Sequence, residues 1–166
     1  MTLSAKVSDR LCGWAIYIGV GLVVLWSGIQ LINYALEVKF YKDYLLKWEV
    51  LLEKHKSEDS AWPVFSASDP SNYMDRLVKK LRGNGASVPR SNTYCPYAYR
   101  LNRWGCARET IVLLCLPSKI ILNGMSERTF VRLDQWIDGK ADGQSGAFIW
   151  KRGDDPSALP VGELRL

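Results

Sequence analysis

The sequence predicts an α+β chain: a long N-terminal helix, transmembrane in its first half and amphipathic in its second, followed by a small antiparallel sheet packed with helices. Three observations predict it. The stretch Trp14 to Leu36 carries no charged residue. No Gly or Pro interrupts Leu36 to Asp59, where apolar residues recur at helical spacing between charges. Beyond Pro63, short apolar runs and amphipathic patterns are separated by Gly, Pro and Asn turn signals, the mark of a small mixed domain. The resulting division is a short tail at 1–13, a span at 14–36, a helical extension at 37–58 and an α+β domain at 59–166.

The span comes first. About 20 apolar residues cross a bilayer core as a helix, and WAIYIGVGLVVLWSGIQLINYAL suffices. Trp14 and Tyr17 sit near one end and Tyr34 near the other, where amphipathic rings prefer the interface. The run is too long for a signal-peptide core, and no small-residue cleavage site follows it. Cys12 precedes the run, which does not fit a lipoprotein signal. Lys6 and Arg10 lie before the span and Lys39, Lys42 and Lys47 after it, so the positive-inside rule gives no vote. The short tail makes a signal anchor the natural arrangement: a single-pass protein of the inner, cytoplasmic membrane, with its C-terminal domain periplasmic or extracellular.

The extension comes next. Tyr41, Tyr44, Leu45, Trp48, Leu51 and Leu52 form one stripe that must face protein, and they are the candidate interaction surface. One helix from Trp14 to His55 would be roughly 60 Å long at 1.5 Å per residue. Pro63 breaks it. Asp69-Pro70 caps and opens a helix with an apolar stripe of Tyr73, Met74, Leu77, Val78 and Leu81, ended by Gly83 and Gly85. Tyr94 to Leu101 alternates and reads as a strand. Thr110 to Leu116 is a continuous apolar run that suits a central buried strand. Pro117-Ser118 turns the chain into Lys119 to Leu122, antiparallel to it. Ser126 caps a helix with Phe130, Leu133, Trp136 and Ile137 on one face, stopped by Gly139, and Phe148 to Trp150 reads as an edge strand. The expected sheet has three or four strands.

Composition excludes several classes. The 48% apolar and 23% charged shares fit neither a disordered chain nor a polytopic membrane protein. The net charge is +5, but acidic residues interleave with the basic ones, which reads as a solvated face and predicts no nucleic-acid partner. Of four cysteines, Cys95 and Cys106 flank an expected strand and turn, and a bridge between them is the candidate disulfide. Cys95–Cys115 is the rival pairing, and three free thiols the third reading. The single histidine, His55, and the lack of any C-x-x-C pair argue against zinc and against Ser-His or Cys-His catalysis. Asp138, Asp142, Asp154 and Asp155 read as turn residues. Hence no catalytic, metal or cofactor site is expected, and the chain reads as non-enzymatic.

The layout resembles that of type IV pilins and the pseudopilins of type II secretion. Lys6 and Arg10 stand as the basic leader, and Gly13-Trp14 as the candidate cleavage junction. A long half-apolar, half-amphipathic helix then leads to an antiparallel sheet. The chain departs from that family at Ile18, where it usually carries glutamate, and at Trp14, where it usually carries Phe or Met. The resemblance implies an accessory or minor component of an envelope assembly, with other membrane or envelope proteins as partners and self-assembly through the N-terminal helix. The Cys95-Pro96-Tyr97 segment and the order of span, charged helix and α+β domain also resemble the holins of T-even phages. The alternative to assembly is a membrane-anchored binding or sensor module. An assembly component predicts partners along the whole rod, whereas an anchored module predicts that the stripe packs on its own domain.

Overall fold

The structure, a computed structural model, describes residues 2–58, 61–152 and 160–166, with the backbone alone over 2–9. Asp154 and Asp155 lie outside the described residues. The chain is α+β. Its N-terminal helix runs as α1 (Thr2–Phe40), a π-helical turn (Tyr41–Leu45) and α2 (Leu46–Ser57), without a break. Helix α3 (Pro70–Gly83) follows, then β1 (Ala98–Leu101), β2 (Glu109–Leu116), β3 (Lys119–Asn123), α4 (Glu127–Asp138), β4 (Phe148–Lys151) and β5 (Val161–Arg165).

Local chemistry accounts for most of these boundaries. The Asp69 carboxylate accepts the Asn72 N–H, and Pro70 takes the first turn, where its missing donor costs nothing. Gly139 ends α4 in the left-handed conformation, at φ 73°. The π turn also has a reason. Phe40, Tyr44, Trp48 and Leu52 recur every four residues, and each such step advances roughly 40° around a helix of 3.6 residues per turn. A wide turn absorbs the excess, so all four are fully buried.

The sheet is antiparallel throughout, in the order β1-β2-β3-β5-β4, with β4 at an edge as expected. It has five strands, one more than the sequence suggested. Its helices cover one face. Ile111, Leu113 and Cys115 on β2, Ile120 and Leu122 on β3, Leu164 on β5 and Phe148 on β4 are all buried there, under the rod, α3 and α4. The run Thr110 to Leu116 is a central strand, as expected, lying between β1 and β3, but it is buried on one face only. The strand alternates: Thr110 and Val112 are exposed, and Leu114 and Leu116 are half-buried, on the uncovered face. A run of apolar side chains hid the alternation. Gly162 is required where β5 passes α4, since a Cβ there would strike the Phe130 and Phe148 rings.

Candidate functional site: the junction of rod and sheet

The rod serves as a ruler along which the domain is laid. The Tyr44 hydroxyl donates to the Pro96 carbonyl at 2.9 Å. The Tyr99 ring lies 5.1 Å from Phe40, centre to centre. Arg103 donates to Glu37 at 2.7 Å, and the Trp104 N–H donates to the Asn33 side chain at 2.8 Å. As the chain advances through β1 from 96 to 104, its partners on the rod recede from 44 to 33. The chain therefore runs down the helix toward the apolar stretch as it passes from β1 into the β1–β2 loop, which reaches the level of Asn33. Helix α4 climbs in the opposite sense: Arg128 reaches Gln30, Arg132 reaches Glu37, and Trp136 lies against Tyr34 and Tyr41.

Four ions meet at this junction. Glu37 is 1% exposed and its carboxylate accepts from both Arg103 and Arg132. Arg103, itself buried, also donates to Glu109 and to the Ser126 hydroxyl, the latter at 3.2 Å. Glu109 in turn accepts from the Thr129 hydroxyl at 2.9 Å. Two carboxylates and two guanidiniums balance in charge. Burying ions is costly unless each is paired and hydrogen-bonded, and the forked guanidinium of Arg103 joins two carboxylates from separate elements as no point charge does. The cluster locks rod, sheet and α4 into one rigid unit. It offers no reacting group.

The candidate interaction stripe is core. Tyr44, Leu45, Trp48 and Leu52 are fully buried, and Tyr41 and Leu51 are partly buried against them. The rod's second half is thus part of the domain rather than a separate segment. Gly13 and Trp14, the candidate cleavage junction, lie inside the continuous α1, with Trp14 exposed. The Cys95–Cys106 bridge is not formed: all four cysteines are free thiols. The register explains it. Ala98 stands opposite Val112 and Leu101 opposite Glu109, so Cys106 lies in the loop beyond the paired residues and not on a strand facing Cys95. Cys115 is buried on β2 opposite Ile120, and burial raises its thiol pKa well above the ordinary range. Above it, the Tyr73 hydroxyl donates to the Cys115 carbonyl at 2.9 Å, and burial pushes that phenol up to about 12. His55 is buried, with its ring edge-on to Trp62 at 5.1 Å.

Among the described residues no cluster of His, Cys, Asp or Glu is arranged to hold a metal ion. Asp142 accepts the Gln144 and Ser145 N–H groups and holds a turn, as read from the sequence, whereas Asp138 is the last residue of α4 and accepts the Ala147 and Phe148 N–H groups where β4 begins. A groove of about 1150 Å³ runs between the rod and the 87–92 loop. Lys39, Lys42, Lys47, Lys54 and Arg90 line it against one acid, Asp43, over a floor that includes exposed Leu46 and Val50. Interleaved charges concealed this basic concentration in the sequence, because one face of the rod and a distant loop supply it together. No family model, curated protein or solved structure matches this chain.

Proposed function

We propose that this chain is a single-pass membrane-anchored, non-enzymatic binding module, held in the inner membrane with its domain on the extracytoplasmic side. One observation carries the reading. The helix is long and apolar enough to cross a membrane, with none of its apolar window buried, and Gln30 is where the side chains of the domain first hydrogen-bond to it among the described residues. The free stretch from Leu11 to Ile29 is roughly 28 Å long at 1.5 Å per residue, close to the ~30 Å of a hydrocarbon core. Burial of the Tyr41–Leu52 stripe favours a module over an assembly that uses the whole rod. The basic groove, well above the span, is where the module would meet a partner. His55 and Cys115, each sealed in the core, supply no nucleophile and base pair. Alkaline carbonate extraction is the test: full-length protein should remain with the membranes, and its release into the soluble fraction overturns the anchor.

Assembly through the span, as in the pilin-like and holin-like layouts, is the second reading. Gly21 and Gly28 favour it. They lie seven residues apart on one side of the exposed helix with open space at each Cβ, where small residues let backbones approach. Disulfide cross-linking of Gly28→Cys in a background freed of other cysteines should then give dimers, whereas Val23→Cys, on the opposite side of the helix, should not.

A further inference from the structure

We propose that the tip of the β1–β2 loop, Trp104 to Arg108, and the first turn of α4 form a seat for the bilayer surface, taking anionic phospholipid headgroups beside the protein's own span. The proposal rests on the anchor reading above and deepens it.

The helix ruler sets the depth of this face. If the hydrocarbon core ends near Ile29, the headgroup layer, about 5–8 Å thick, begins at Gln30. The Asn33 level is only about 4.5 Å farther along the axis. Both elements that reach this depth are held by direct contacts: the Trp104 backbone by Asn33, and the start of α4 by the Arg128–Gln30 contact. Neither is a free tether. The ion cluster one turn above makes the placement rigid.

The chemistry of the face matches that layer. Trp104 is 66% exposed, whereas Trp48 in the core is wholly buried. An indole beside a span is the amphipathic ring that interfaces favour. Every residue from Trp104 to Arg108 is exposed. The charges presented are Arg108 and Arg128. Arg103 is neutralised inside the cluster, and Glu127 is paired with Arg152 at 3.3 Å. Exposed guanidiniums within a Debye length of an anionic leaflet are attracted to it, whereas the lysines of the groove, from Lys39 upward, stand progressively farther off.

Depth-dependent fluorescence quenching of the full chain in nanodiscs of phosphatidylcholine with phosphatidylglycerol tests this. A bimane label is placed on Cys106 after the other three cysteines are replaced, on Lys54→Cys as a distant control, and on Val23→Cys as a span control, with circular dichroism confirming the fold. Headgroup-labelled quencher lipid should quench Cys106 at least threefold more than Lys54→Cys. Adding Trp104→Ser, Arg108→Glu and Arg128→Glu, all exposed positions, should remove at least half of that difference. Equal quenching at Cys106 and Lys54→Cys overturns the seat, as does quenching at Cys106 that the three substitutions leave unchanged. Failure of acyl-chain quencher to reach Val23→Cys overturns the anchor itself, and the seat with it. Quenching at Val23→Cys without quenching at Cys106 keeps the anchor and removes the seat alone.

Discussion

Asn33 and Trp104 are joined by two hydrogen bonds across 71 positions of sequence: the Asn33 carboxamide accepts the Trp104 N–H at 2.8 Å and donates to the Trp104 carbonyl at 3.0 Å. The carboxamide matches a peptide group donor for acceptor, and it is 95% removed from water. Asn33→Leu leaves both backbone groups without that partner. Both bonds are part-buried, and losing an ordinary hydrogen bond costs about 0.5–1.5 kcal/mol. The thermal midpoint in detergent should fall, and proteolysis within the β1–β2 loop should accelerate. An unchanged cleavage rate would show that the loop is held by other means.

The junction ions should differ in value by burial. Glu37→Gln leaves Arg103 and Arg132 facing a neutral amide, and breaking a buried pair in this way costs about 3–5 kcal/mol. Arg132 keeps a quarter of its side chain in water, so Arg132→Gln should cost about 1 kcal/mol or less. Denaturant unfolding of the two variants measures the order directly. A larger loss from Arg132→Gln contradicts the charge arrangement described above.

Leu113 and Leu114 are sequence neighbours on opposite faces of β2. Leu113 is fully buried beneath the helices, and Leu114 is half-buried on the uncovered face. An unpaired carboxylate at Leu113 costs several kcal/mol, against a typical domain margin of about 5–15 kcal/mol. Leu113→Asp should therefore yield a protease-sensitive, unfolded domain, whereas Leu114→Asp should fold with reduced stability. Protease resistance in Leu113→Asp would reverse the facing of the strand.

That reversal of expectation marks the limit of local pattern. The helices α3 and α4, the β2–β3 hairpin and the unbroken rod were legible because their signals lie within a few residues: Asp69-Pro70, Gly139, Pro117-Ser118; the Ser126 hydroxyl, read as the cap of α4, makes no capping bond. Strand β5 was not. Val161–Arg165 carries a glycine and two charges, and it is a strand because β3 and β4 pair with it on both sides. The junction was equally hidden. Glu37, Arg103, Glu109 and Arg132 look like four ordinary surface charges until the fold brings them together, and no spacing rule connects positions up to 95 apart. Asn33 and Gln30 were legible as polar residues near the end of the apolar stretch, although their partners were not.

The thiols should separate by burial. Cys106 is exposed, whereas Cys115 is fully buried and its raised pKa leaves little thiolate, the reactive form. With the protein in detergent and no reductant, a maleimide should modify exposed Cys106 and leave Cys115 untouched until denaturant is added. Labelling of Cys95 and Cys106 only after reduction would establish a bridge between them and displace the free-thiol arrangement.

His55 should make stability depend on pH. Burial lowers its pKa below the ordinary 6.5, and the neighbouring Lys80 lowers it further, outweighing the opposite pull of Glu58. No partner satisfies its Nε2 among the described residues, and Trp62 lies edge-on to the ring. The folded chain therefore holds this imidazole neutral where the unfolded chain, at about 6.5, begins to protonate. Between the two values the unfolded state binds more protons, so stability rises with pH through the window and is lost as pH falls below about 6.5. The thermal midpoint of the full chain in detergent should drop from pH 7.5 to pH 6.0, and His55→Gln should flatten that drop whatever it does to the midpoint itself. Burial, and then Glu53, also raise the Glu49 carboxyl above the ordinary carboxylate value, which is why the comparison is made against His55→Gln and not against a flat line. An equal slope in both proteins would assign the dependence to the carboxylates.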